Sequence, residues 1–257
     1  MKGGYSVFPI IGIPEINPGD DLFKLLLTAI EAGPGLEPFD IIVITSKIVS
    51  KAEGQIFAGN TRDAAIEEET VRVLAQRGST KIVQTHHGLI MAAAGVDASN
   101  APAGTVLKLP VDSDASARRL RKAFSGYVSP IGIIITDTMG RAWRLGLTDN
   151  AIGIAGVVTL LDYRGKKDAQ GRTLEMTITA ICDEIASAAE LVKGKLDGIP
   201  VVVFRGLKTF VIDEDGPGAQ SIIRPSDEDM FGLGTQAAQE KGYKKGFEDG
   251  QRSQSNH

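Results

Sequence analysis

Cysteine, histidine and tryptophan are all scarce in this sequence. Cys182 is the one cysteine among 257 residues, so no intrachain disulfide can form and no cysteine-rich zinc site can assemble. With three histidines and no H-E-x-x-H, the common zinc-hydrolase scheme is excluded, and without G-x-S-x-G so is the serine nucleophile elbow. Two phosphate cradles are missing as well. There is no G-x-x-x-x-G-K-[ST], and no G-x-G-x-x-G follows a strand. Any nucleotide chemistry must therefore use a rarer scheme. No apolar run approaches the ~20 residues that span a bilayer. The opening "MKGGYSVFPIIGIPEI" lacks the apolar region and cleavage site of a signal peptide and reads as a first strand. Together with the lone cysteine, this suits a reducing cytoplasm. The net charge of -4 argues against general affinity for nucleic acid or anionic membrane.

What remains is an ordinary globular composition, 42% hydrophobic and 23% charged, with length enough for one large domain or two small ones. Strand and helix signals alternate. Val7 to Ile13 reads as a strand stopped by Pro14. Asp20-Asp21 caps a helix with Leu22, Leu25, Leu26 and Ile30 on one face, and Gly33-Pro34-Gly35 ends it. "DIIVIT", Asp40 to Thr45, is a buried strand. Asp63 to Gln76 reads as a second helix, acidic at its start and ending at Arg77-Gly78. Strands follow at "TKIVQT" and Val106 to Leu109, then a basic helix from Asp112 to Phe124. Ile131 to Thr136 is a strand that delivers Asp137 and Thr138 at its end. Ile152 to Asp162 is a strand region whose small residues admit close backbone approach. Thr173 to Val192 is the longest expected helix, and "GIPVVVFRG" a last strand. Residues 1–235 form the main module. Residues 236–257 are a polar tail, expected to be helical at first and then disordered. The element order predicts an α+β (mixed α/β) fold.

Three polar clusters stand at the ends of apolar runs. Thr45-Ser46-Lys47 with Lys51 offers a hydroxyl and ammoniums for phosphate oxygens; taken alone, a helix cap with a solvated lysine is the plainer reading. "AAAGVDASN" offers Asp97, Ser99 and Asn100 as metal and amide contacts, or an Asx turn leading to Pro102. "TDTMGRAWRLGLTDN" places Asp137 and Thr138 where α/β proteins often carry site residues. Oxygen donors without thiolates suit Mg²⁺ or Mn²⁺. Arg141 and Arg144 either meet phosphate or stay exposed in a turn. His86 and His87 point to opposite sides and cannot clamp one ion. Cys182 reads as core, and "LDYRGKKDAQGRT" as a solvated hairpin.

Taken in order, "GIPEI" at Gly12–Ile16, "DIIVITSKIVSKAEG", "GLIMAAAGVDASN", "TDTMGRAWRLGLTDNAIGIAG", "DYRGKKDAQGRTLEMT" and "DEIASAAELVKGKLDGIPVVVFRG" resemble the coenzyme F420-0:L-glutamate ligase (F420:gamma-glutamyl ligase) family. The resemblance spans roughly residues 5–235. The wording is closest to the actinobacterial type, in which the ligase precedes a flavin-binding nitroreductase-like domain. No counterpart of that domain is seen here, so ligase chemistry without flavin chemistry is expected.

The resemblance implies an unusual two-part fold in an intertwined homodimer. It also implies a reaction in which GTP phosphorylates the terminal carboxylate of F420-0 and the amine of L-glutamate attacks the acyl phosphate. Further glutamates can follow through gamma links. The preference for GTP over ATP comes from the resemblance alone. Nucleotide contacts would fall on Ile13, Pro14, Glu15, Ile16, Ser46, Lys51 and Asn100. Ligands to Mg²⁺ or Mn²⁺, two ions in the family, would fall on Asp97, Asp137 and Thr138. One departure stands out. Archaeal members supply a glutamine to the second metal from a Met-Gly-Gln stretch, and Lys193-Gly194-Lys195 stands there instead. A protonated lysine cannot ligate a metal, so that site is completed by water or substrate, weakened, or replaced in part by the Lys195 charge. The histidines and Asp149 are the candidate general bases. Two alternatives stay open: an acid-amine ligase with the same nucleotide and metal site but another carboxylate acceptor, and a non-catalytic nucleotide-binding subunit.

Overall fold

The computed structural model of the chain describes residues 3–58, 62–99, 101–225, 228 and 235–254. The first strand, β1 (Ser6–Pro9), is shorter than its apolar run, and the chain leaves it before Gly12, which has positive φ. Helix α1 (Leu22–Glu31) starts where Asp21 accepts the Lys24 amide at 3.2 Å, as an N-cap acid does. The buried strand β2 (Ile41–Thr45) runs directly into α2 (Ser46–Ala52), so Ser46, Lys47 and Lys51 leave the sheet on a rigid turn of helix.

The next segment corrects the expected helix over 63–76. It divides into β3 (Ile56–Phe57), a short α3 (Arg62–Glu68) and a strand, β4 (Thr70–Arg77). The β-branched Thr70, Val71 and Val73 favour extended backbone, and the turn at Gly78 returns the chain antiparallel as β5 (Thr80–Thr85). β6 (Ile90–Ala92) completes this three-stranded sheet, and β7 (Val106–Leu107) pairs with β3. Ala65, Ile66, Val83, Ala94, Val96 and Val106 give this smaller part its own core.

The chain then returns to the main sheet. Asp112 caps α4 (Ser113–Ser125) by accepting the Ala115 amide at 2.8 Å. β8 (Gly132–Gly140) and β9 (Leu147–Ala155) form a long hairpin. Asp137 and Thr138 therefore lie within a strand and not at its end, because β9 extends the pairing that β2 provides only as far as Thr136. The strand region over 152–162 likewise divides into the end of β9 and β10 (Leu160–Asp162). The helix expected over 173–192 begins later. Its first residues instead form the return arm of a hairpin, with β11 (Ile178–Ala180) on β10, and helix α5 spans Ile181–Lys193. The charged "DYRGKKDAQGRT" stretch is the solvated tip of that hairpin, where Arg164 pairs with Asp162 at 2.6 Å. After β12 (Val201–Arg205) comes α6 (Thr235–Gln254), the longest helix.

The main sheet has the order β1-β12-β2-β8-β9, antiparallel except for the β2–β8 pair. Alternation along its strands separates two cores. Ile42, Ile44, Ile133 and Ile135 face α1, α2 and α4, whereas Ile41, Val43, Ile134 and Phe204 face α5. The result is a mixed α/β architecture of the expected class, a helix–sheet–helix body joined to a smaller β-rich part. Close approach of α4 to β9 requires Gly153, where a Cβ would lie 2.3 Å from the Ser113 carbonyl oxygen. No helix among the described residues is long and apolar enough to cross a membrane.

Candidate functional site

A cleft of about 490 Å³ opens where the main sheet meets the smaller part. Its floor is the point at which β8 outruns β2, so both faces of the β8–β9 hairpin border it. Strand alternation then sends Asp137 to the α2 side and Thr138 to the α5 side. The other walls are Ile13–Ile16, the start of α2, the segment from Met91 to Asp97, and the 194–200 loop after α5.

On the α2 side the Ser46 hydroxyl donates to Asp137 Oδ1 at 2.9 Å. Burial and the nearby Asp149 charge push the Asp137 carboxyl up to about 6, against the opposing pull of Ser46 and Lys47. Lys47 donates to Asp97 at 2.6 Å and to the Ser99 hydroxyl at 2.8 Å, tying α2 to the smaller part. Asp97 also accepts the Ser99 amide at 2.7 Å, so the Asx turn is present and the carboxylate faces the cleft as well. Burial would raise the Asp97 carboxyl, but Lys47 and the two Ser99 donors hold it below its ordinary value. Buried Lys51 reaches across to the exposed Glu15 at 2.5 Å.

The α5 side is a closed ion network. Lys193, 3% exposed, donates to Asp149 Oδ2 at 2.6 Å and to Thr136 Oγ1 at 2.8 Å. Thr136 donates to Asp149 Oδ2 at 2.9 Å and Thr138 to Asp149 Oδ1 at 2.7 Å. Burial would raise the Asp149 carboxyl, but Lys193, then Thr138 and Lys195, hold it low. The Lys195 ammonium sits 2.7 Å from Thr138 Oγ1, 2.6 Å from Glu190 and 3.6 Å from Asp149.

Of the residues singled out from sequence, Ile13, Pro14, Glu15, Ile16, Lys51, Asp97, Asp137 and Thr138 all line this cleft, and Ser46 touches it through Asp137. Asn100 lies outside the described residues. His86 and His87 bond the Glu68 and Pro110 carbonyls, and neither lines the cleft. Arg141 donates to the Leu145 carbonyl at the hairpin tip. Cys182 is core, and burial pushes its thiol up. Sequence reasoning left Arg62, Glu190 and Lys193 out of the site. In the sequence Lys193 appears only within the Lys193-Gly194-Lys195 stretch, with no role of its own, and only the fold brings it to Asp149.

Among the described residues no cluster of three or more His, Cys, Asp or Glu side chains is arranged as a ready metal cage. The available donors are carboxylate and hydroxyl oxygens. Asp137, half-buried beside a second carboxylate and held by a neutral hydroxyl, is a group that a hard divalent cation would stabilise.

The family model described as F420-0:Gamma-glutamyl ligase matches residues 10–206. A coenzyme F420:L-glutamate ligase from Methanopyrus kandleri is 40% identical over 254 residues, covering 89% of this chain and 99% of that protein. Proteins of the same name from Methanothermobacter thermautotrophicus and Archaeoglobus fulgidus are 34% and 37% identical, over 89% and 88% of this chain and 99% and 96% of theirs.

Proposed function

The chain belongs to the F420-0:gamma-glutamyl ligase family, and we propose that it joins L-glutamate to coenzyme F420-0 with GTP as phosphoryl donor and Mg²⁺ or Mn²⁺ as cofactor. The observation that carries this reading is a single cleft lined by the Ile13–Ile16 wall, two lysines of α2, and the acids Asp97 and Asp137. Activating a carboxylate with a triphosphate brings two anions together, so a site for it needs cations and carboxylates that hold cations.

In this reading the Ile13–Ile16 backbone and side chains seat the nucleotide. Lys51 and Lys47 supply point charges to its phosphates. The Lys51–Glu15 pair has an exposed acid partner, so a phosphate can displace Glu15 at little cost. Asp97 and Asp137 are the residues that would hold the metal; Thr138, the third oxygen donor expected from the resemblance, lies on the α5 side in contact with Lys195. When bound, the metal screens the charge of the carboxylate and the γ-phosphate. Asp149, with a side chain 3% exposed and both oxygens engaged by Lys193, Thr136 and Thr138, is closed to a metal, whereas the Asp97 side chain is 39% exposed to the cleft; the part of Asp149 is to orient the Thr138 hydroxyl. Transfer of the γ-phosphoryl group to the F420-0 carboxylate gives an acyl phosphate and GDP. Attack by the glutamate amine then forms the amide and releases phosphate.

The test is incubation with F420-0, L-glutamate, GTP and Mg²⁺ or Mn²⁺, followed by mass spectrometry. A product heavier by one glutamyl residue, formed with GDP, is the expected result. No glutamate addition and no GDP would overturn it. GDP formed only with a different carboxylic acid would assign another acceptor to the same site. Tight nucleotide binding without turnover on any acid would point to a non-catalytic subunit.

A further inference from the structure

The two sides of the cleft differ in charge balance. On the α2 side, Asp97 and Asp137 face one ammonium, Lys47, with Asp137 bonded to a neutral hydroxyl. On the α5 side, Asp149 and Glu190 face two ammoniums, Lys193 and Lys195, at 2.6 Å contacts. In direct contact, the two α2-side acids thus share one ammonium, whereas the two α5-side acids are matched one for one. The proton of the Thr138 hydroxyl is directed at Asp149 Oδ1, which turns its lone pairs toward Lys195, 2.7 Å away. The oxygen that would otherwise serve a metal is already paired with a cation.

We infer that the Lys195 ammonium is a built-in cation on the α5 side of the cleft, so that this chain takes one divalent ion with its nucleotide, on the Asp97–Asp137 side, rather than two. This rests on the nucleotide and metal reading above. A protonated lysine has no lone pair to offer a metal, and a dication placed at Thr138 would be repelled by a fixed charge within contact distance. Glu190 holds Lys195 in place from the last turns of α5, one salt bridge away from the substrate space. Lys195 is thus a positioning and charge-supplying residue whose effect is read in metal stoichiometry.

The experiment is a titration with Mn²⁺ in the presence of a saturating non-hydrolysable GTP analogue, followed by electron paramagnetic resonance, on the wild-type chain, Lys195→Gln and Lys195→Arg. The nucleotide alone serves as the blank. Expected are one Mn²⁺ per chain for wild type, two for Lys195→Gln with the dipolar broadening of neighbouring ions, and one for Lys195→Arg. The Lys195 side chain is half exposed, so the variants should fold, which thermal melting checks. Two ions on the wild-type chain, or one on Lys195→Gln, would overturn the inference while leaving the ligase reading intact. No Mn²⁺ bound by any of the three would overturn the metal reading itself. The wild-type count stands as a test even if both variants fail to fold.

Discussion

At the scale of single residues, Asp137 is a carboxyl group whose environment disfavours its charge. Its folded-state value near 6 lies above the ordinary 3.8, so the folded chain holds this proton more tightly than the unfolded chain. The resulting penalty is absent below pH 4, grows as pH rises between 4 and 6, and is full above 6. A difference of that size corresponds to roughly 3 kcal/mol at most. Asp137→Asn removes the penalty together with the charge a metal needs. In the presence of a chelator, this variant should melt higher than wild type at pH 7 and no higher at pH 4, while its turnover falls at least about 100-fold. Equal melting at pH 7, or near-normal turnover, would mean that Asp137 is neither strained nor used as proposed. Lys193 is the opposite case. Lys193→Met leaves Asp149 buried without its main counter-charge and should cost about 3–5 kcal/mol in urea unfolding. Asp137 was visible in sequence because a strand, an acid and a hydroxyl are adjacent there. Lys193 was not, because its partners Thr136 and Asp149 are set by the fold alone.

Among the elements, those with both a cap and an apolar stripe were legible, and those decided by pairing partners were not. Asp21 and Asp112 mark the starts of α1 and α4 as expected. The segment from Asp63 to Gln76 reads as one helix because its acidic start and basic end suit the helix dipole. In the fold, Thr70, Arg72 and Val73 pair with β5 and the helix stops at Glu68. The residues from Thr173 to Ala180 carry helical spacing, but their backbone is claimed by the β10–β11 hairpin, with Tyr163 donating to the Thr177 carbonyl at 3.0 Å. Tertiary pairing overrides local propensity in both places. The small residues of β9 were correctly read as admitting close approach, and Gly153 is where that matters. Gly153→Ala would place a Cβ against the Ser113 carbonyl, a backbone group that cannot swing aside. A loss of about 1–3 kcal/mol in urea unfolding is expected, and an unchanged midpoint would show that α4 can shift off the sheet without cost.

For the whole molecule, the two-part division follows from where the main sheet stops supporting its longest hairpin. Beyond Thr136, β8 loses its β2 neighbour and continues with β9 as a two-stranded arm. The root of this arm carries Asp137, Thr138 and Asp149, and its tip carries Leu145 and Leu147, 98% and 66% exposed. Exposed leucines clustered on an isolated two-stranded ribbon are a poor surface for a lone chain in water. The intertwined homodimer implied by the family resemblance would cover them with a second copy and brace the arm that holds the site residues. Sedimentation equilibrium should then give about twice the mass of one chain. The double variant Leu145→Asp, Leu147→Asp should sediment as a monomer, since like charges on a two-fold surface meet across it. Neither side chain belongs to the buried clusters, so each chain should keep its fold by circular dichroism. Because the arm's root carries Asp137, a proposed metal ligand, the same variant should also lose turnover in step with its loss of dimer. A wild-type chain that sediments as a monomer would remove the dimer from this account. A monomeric variant with full turnover would instead show that the arm holds Asp137 and Thr138 in place without a partner.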